Sequence, residues 1–209
     1  SMEGDVVFLI EIAELSQKYE ALLIADEAHS IGLFGDDYAG ITSMYNLQDK
    51  VDVIIGTLGK SFGAFGAFAA CEELLYDYFI NSCRSFIFTT SLPPFIIGAL
   101  NRSYEIILTE NRGEEVLLKA EKFKTELKEN GIDIGVSQSQ IVPIIVNSNA
   151  KSIELMNVLK EKGIYAPSIR PPTVPPNSSR IRVSITYLHT EEDIHKLSSE
   201  IINWRKKNV

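Results

Sequence analysis

An amine, a carboxylate and an imidazole stand at the ends of two apolar runs in this sequence. Leu22-Leu23-Ile24-Ala25 ends in Asp26-Glu27-Ala28-His29, and Val51 to Ile55 ends in Gly56-Thr57-Leu58-Gly59-Lys60-Ser61-Phe62-Gly63. Ligands of open α/β sheets gather at the carboxyl ends of parallel strands. If both runs are such strands, Asp26, His29, Thr57 and Lys60 can line one crevice.

Two chemistries fit these residue types. Asp-Glu-Ala-His after one apolar strand and Gly-Lys-Ser after another resemble the acidic box and phosphate loop of a nucleotide-driven motor. The phosphate loop, however, needs a glycine six positions before its lysine so that the backbone can curl around the phosphates; here that position is Ile54. The order of the two motifs is also reversed. The second chemistry is that of pyridoxal phosphate. An amine such as Lys60 can condense with its aldehyde, and a carboxylate such as Asp26 can keep its pyridine nitrogen protonated, which makes the ring an electron sink. His29 could hydrogen-bond the phenolic oxygen and Thr57 the phosphate, with Ser61 a weaker candidate for that duty. Each residue also has a plainer reading: Asp26 as a helix-entry cap, His29 as a satisfied turn residue, Lys60 as a solvated loop charge.

The frame is a chain of 209 residues, 45% hydrophobic, with a formal net charge of −8. That length can bury a sizeable core. The acidic balance, without a clustered basic face, excludes nucleic acid as the expected partner. No apolar stretch approaches the ~20 residues that span a bilayer, and the start lacks a basic segment followed by a hydrophobic one, so no membrane partner and a cytoplasmic location are expected. Two cysteines, Cys71 and Cys83, are too few for a disulfide framework and are expected as buried free thiols. No metal site is expected.

Hydrophobic periodicity predicts the elements. A helix over 6–19 feeds a strand over 21–26, apolar on both faces as for a parallel strand covered by helices on either side. A second strand covers 51–56. A third, over 66–71, follows Lys60 too closely for a parallel crossover and is expected antiparallel. Helices are predicted over 95–108 and 113–129, the latter stopped by Asn130-Gly131. A strand over 141–146, a helix over 152–161, a strand over 181–185 and a helix over 190–206 complete the chain. Thr190 with Asp193 reads as a capping box. In Arg180-Ile181-Arg182-Val183-Ser184, alternation puts both arginines and Ser184 on one face, where a guanidinium could grip a carboxylate through two parallel bonds. The other reading is a solvated strand face.

With these residues assembled, a family becomes visible. The segments Leu23 to Gly32, Thr57 to Lys60 and Phe86 to Pro94 resemble the α-oxoamine synthases, which use pyridoxal phosphate on the fold type I scaffold and condense an amino acid with an acyl thioester, losing carbon dioxide. Ser139 to Pro143, Ile169 to Pro175 and Ser179 to Arg182 are most similar to the branch serving biotin synthesis, which joins L-alanine to a pimeloyl thioester to give 8-amino-7-oxononanoate. The resemblance runs through essentially the whole chain. It implies residues 1–94 as part of an incomplete, mostly parallel large domain and residues 95–209 as a smaller α+β domain. It implies Lys60 as the Schiff-base lysine, Asp26 at the pyridine nitrogen, His29 at the phenolic oxygen and Thr57 at the phosphate. Thr89 and Thr90 would reach a neighbouring subunit's phosphate in a homodimer, Thr173 would touch substrate, and Arg182 would receive the amino-acid carboxylate. Expected partners are L-alanine and pimeloyl-CoA or pimeloyl-ACP. Other branches, using glycine or serine, and a noncatalytic partner subunit are the alternatives. Ser1 to Asp5 matches the middle of such enzymes, so about the N-terminal half of the pattern is lacking and the chain alone is expected to be inactive.

Overall fold

The computed structural model describes Ser1–Asn208, which divide into two compact units, Val7–Gly113 as one and Ser1–Val6 with the described residues from Glu114 onward as the other. In the first unit, helix α1 (Leu9–Lys18) precedes strand β1 (Ile24–Asp26); a short helix α2 (Ile41–Met44) follows, then strands β2 (Val53–Thr57) and β3 (Ala67–Cys71). Helices α3 (Glu73–Ser82), α4 (Arg84–Ile87) and α5 (Pro94–Thr109) complete it. The strand order is β1-β2-β3. β1 pairs parallel with β2, with Asp26 opposite Ile55, and β2 pairs antiparallel with β3, as the short turn after Lys60 requires.

Gly56 faces Phe68 across the β2–β3 ladder, and a Cβ there would collide with the Phe68 ring. Glycine is therefore the residue that lets this ring cross the strand just before Thr57. α3, with its exposed Leu74, Tyr76 and Tyr78, and α4 are elements that periodicity did not single out.

Two expectations change here. β1 is shorter than the apolar run, and Ile24 is 57% exposed, because the described residues do not cover that face. Both cysteines are free but only partly buried, Cys71 on the exposed edge strand β3 and Cys83 between α3 and α4.

The second unit has the denser core. Helix α6 (Arg112–Glu129), strand β4 (Ile141–Ile145), helix α7 (Asn149–Glu161), the two-residue strand β5 (Ser168–Ile169), strand β6 (Arg180–Ser184) and helix α8 (Glu191–Asn208) form it. Its sheet has the order β4-β6-β5 and is antiparallel throughout. Ala120, Phe123 and Leu127 of α6, Leu155 and Leu159 of α7, and Ile194, Leu197 and Ile201 of α8 recur at helical spacing and close over Val142, Ile144, Ile181 and Val183. α6 ends before Gly131, whose φ of +69° is the left-handed stop that glycine favours.

α8 begins with a reciprocal cap. Asp193 Oδ2 accepts from the Thr190 N–H at 2.9 Å and the Thr190 hydroxyl at 2.8 Å, and the Asp193 N–H donates back to Thr190 Oγ1 at 3.1 Å. The Thr190 backbone bond, then its hydroxyl, holds the Asp193 carboxyl below its ordinary value. A carboxyl lowered on folding stabilises the fold above its unfolded value and loses that contribution as pH falls through the folded one. Asp193→Ala is expected to lower the thermal midpoint at pH 7, and the gap from the unaltered chain to close below about pH 4. A gap independent of pH between 7 and 3 contradicts this.

Candidate active site

The first unit brings two turns together. Asp26 ends β1, and its Oδ1 accepts the Ala28 N–H at 2.9 Å, which aims the carboxylate at the strand's carboxyl end. His29 lies in the following turn and is half-buried. Thr57 ends β2, its hydroxyl 3.5 Å from the Ala28 carbonyl, a bond too long to commit its proton. Lys60 is exposed in the turn that leads to β3, where the Gly63 N–H donates to its carbonyl at 3.0 Å.

A hydroxyl ties the two turns. Ser61 Oγ donates to the Ile31 carbonyl at 2.7 Å, so Ser61 spends its one proton on the scaffold, and its reading as a phosphate donor is displaced. From α5, Ser103 Oγ donates to the Phe62 carbonyl at 2.7 Å and Tyr104 stacks on the Phe62 ring, fixing the far side of the Lys60 turn. Thr89 and Thr90 are exposed in the loop between α4 and α5. Leu92 of the same loop packs where a Cβ on Gly66 would sit.

Thr173 and Arg182 belong to the second unit. Thr173 is exposed in the proline-rich turn, its N–H donating to the Arg170 carbonyl at 3.0 Å. Arg182 is half-buried; its Nε donates to the Ser1 carbonyl at 2.8 Å and its Nη1 to Ser184 Oγ at 2.9 Å. Burial holds its guanidinium below the ordinary value. Two bonds leave other N–H groups of the fork to receive an anion. Arg180 differs from the expected open face: it is 3% exposed, its Nη1 is paired with Glu3, and its Nε donates to the Ser178 carbonyl at 2.9 Å. Burial of that charge is tolerated because it is paired.

One buried acid escaped the sequence reading. Glu27, next to Asp26, is 3% exposed and accepts from groups on 30, 41 and 42. Partners 14 and 15 positions away left no local signal. Among the described residues no cluster of His, Cys, Asp or Glu is arranged to hold a metal ion, and no helix is long and apolar enough to cross a membrane.

Comparison with known proteins shows which family the chain resembles along its length. A protein of Bacillus cereus (strain B4264), provisionally named 8-amino-7-oxononanoate synthase, is 42% identical over 209 residues, 99% of this chain and 53% of its own length. A solved structure described as SPT with PLP internal aldimine superposes with a TM-score of 0.92 at 28% identity, covering 99% of this chain and 53% of that one. The 8-amino-7-oxononanoate synthase (bioF) of Francisella tularensis superposes with a TM-score of 0.86 at 25% identity, covering 99% and 60%. The chain thus spans about half the length of the relatives it matches. With the profile of aminotransferase class I and II matching residues 1–201, over the strands, turns and second unit described above, the chain belongs to that family.

Proposed function

We propose that this chain carries the lysine-bearing part of a pyridoxal-phosphate-dependent α-oxoamine synthase that condenses L-alanine with a pimeloyl thioester, releasing carbon dioxide and 8-amino-7-oxononanoate. The observation that carries the reading is the tie between the two turns: Asp26 ends one of two adjacent parallel strands, Lys60 follows the other, and Ser61 binds one turn to the other. The donor set fits the cofactor, with an exposed amine, an aimed carboxylate, a half-buried imidazole and an uncommitted hydroxyl. The relatives' names and the solved neighbour holding PLP support the same choice.

Pyridoxal phosphate, when bound, supplies an aldehyde for attachment and a ring that spreads the charge of a carbanion. Asp26 would hold the ring nitrogen's proton, and its bond from the Ala28 N–H fixes the carboxylate at the end of β1. His29 would donate to the phenolic oxygen and Thr57 to the phosphate. Lys60 Nζ would hold the cofactor and move the proton at the substrate's α-carbon. Arg182 would receive the amino-acid carboxylate, while Ser184 fixes its fork. Thr173 would touch substrate, and Thr89 and Thr90 would reach the phosphate of a second subunit in a homodimer; both are exposed, as that role needs.

The test uses enzyme reassembled from this chain and the N-terminal half of the Bacillus cereus relative. With pyridoxal phosphate, L-alanine and pimeloyl-CoA or pimeloyl-ACP, it should release carbon dioxide, the free thiol carrier and 8-amino-7-oxononanoate, read by mass spectrometry. A second reading, serine with a long-chain acyl thioester, is favoured by the higher TM-score to SPT; preference for L-serine with palmitoyl-CoA would establish it instead. Arg182→Gln should raise KM for the amino acid by about tenfold or more with a smaller change in kcat, since a charged hydrogen bond contributes roughly 1.5–3 kcal/mol. An unchanged KM removes Arg182 from substrate binding.

A further inference from the structure

Glu27 is a buried carboxylate that the chemistry above does not use. Its Oε1 accepts the Thr42 N–H at 2.7 Å and the Thr42 hydroxyl at 2.6 Å; its Oε2 accepts the Ile41 N–H at 2.9 Å and the Ser30 hydroxyl. No cation takes part in these bonds, so oriented dipoles offset its burial. Gly40, with φ of +111°, makes this possible: a Cβ there would lie 2.7 Å from Oε2. The backbone of Glu27 is committed as well. Its N–H donates to the Ile55 carbonyl of β2 at 2.8 Å, and its carbonyl accepts from Ser30 at 3.0 Å and Ile31 at 3.1 Å. One residue therefore staples the start of the turn to β2 and to α2, while Ser61 holds its other end at Ile31.

We infer that Glu27 is a positioning residue for the proposed cofactor site, fixing turn 27–31 so that the Asp26 carboxylate and the His29 ring are presented at the end of β1. The inference rests on the reading that Asp26, His29 and Lys60 hold pyridoxal phosphate.

The test uses the reassembled enzyme with this chain unaltered and as Glu27→Gln, Thr42→Val and Thr42→Ser, with pyridoxal phosphate as the probe. Glutamine keeps the shape but turns one acceptor into a donor facing an N–H; valine removes only the Thr42 hydroxyl, and serine keeps it. Two quantities are read: amide hydrogen exchange at 28–32 relative to 123–127, and the share of borohydride-fixed cofactor on Lys60 relative to the exposed Lys18 and Lys50. E27Q should raise exchange at 28–32 by about tenfold or more and cut the Lys60 share by a similar factor. T42V should act in the same direction more weakly, and T42S should match the unaltered chain. Exchange that is unchanged, or raised evenly across the chain, in E27Q overturns the inference, as does T42S behaving like T42V. If the reassembled enzyme with the unaltered chain shows no preference for Lys60 while E27Q still loosens 28–32, the cofactor reading fails and the staple stands.

Discussion

Replacing Lys60 with alanine lowers turnover of the reassembled enzyme by at least about 10³-fold, because a methyl group can neither attach the cofactor nor move a proton. The side chain is exposed in a turn whose backbone is held by other groups, by Ser61 at Ile31 and by Ser103 at Phe62. The variant should therefore fold as the unaltered chain does, with an unchanged thermal midpoint, and retain some cofactor without a covalent link. Lys60→Arg is the informative companion: it keeps a positive charge but offers no nucleophilic amine, and it should be as inactive as the alanine variant. Activity within a few-fold of normal in either would remove Lys60 from the chemistry.

The largest effect on stability is expected at Phe123. Its ring is 1% exposed on α6, in the cluster formed with Leu127, Leu155, Leu159, Ile181 and Ile201. Phe123→Ala removes a buried ring and leaves a cavity, at a cost of about 3–5 kcal/mol. A chemical denaturation curve should show the midpoint fall with the slope little changed. The exposed ion pair of Lys122 with Glu191, one position along the same helix, is the control. Lys122→Ala should leave the midpoint where it was, since exposed pairs are screened and flexible. Equal losses from the two substitutions would contradict the placement of the core.

How legible this was in the sequence depends on the range of the interaction. The antiparallel β2–β3 hairpin, the strand over Arg180 to Ser184 and the cap at Thr190 and Asp193 rest on short spacings, and each forms as periodicity and capping chemistry predict. The family resemblance was legible too, because Asp26 to His29 and Thr57 to Lys60 are contiguous motifs. Tertiary partners were not. Arg180 reads as one more residue on a polar strand face, yet Glu3, far away in the sequence, is its ion-pair partner. The Glu27 bonds depend on a glycine at 40 that lets residues 41 and 42 approach, which no periodicity encodes. Cys71 and Ile24 looked buried because their neighbours are apolar, but burial depends on what covers a strand face, and the described residues leave those faces open. Asn177 shows the converse: at φ +59° it takes the left-handed conformation, which asparagine tolerates better than most residues and no hydrophobic period announces.

The claim on which the chemistry depends is the amine at position 60. Loading the reassembled enzyme with pyridoxal phosphate, reducing it with borohydride and mapping its peptides by mass spectrometry should place one stable cofactor adduct on Lys60. An adduct on any other lysine, with Lys60 unmodified, would contradict the assignment of this site.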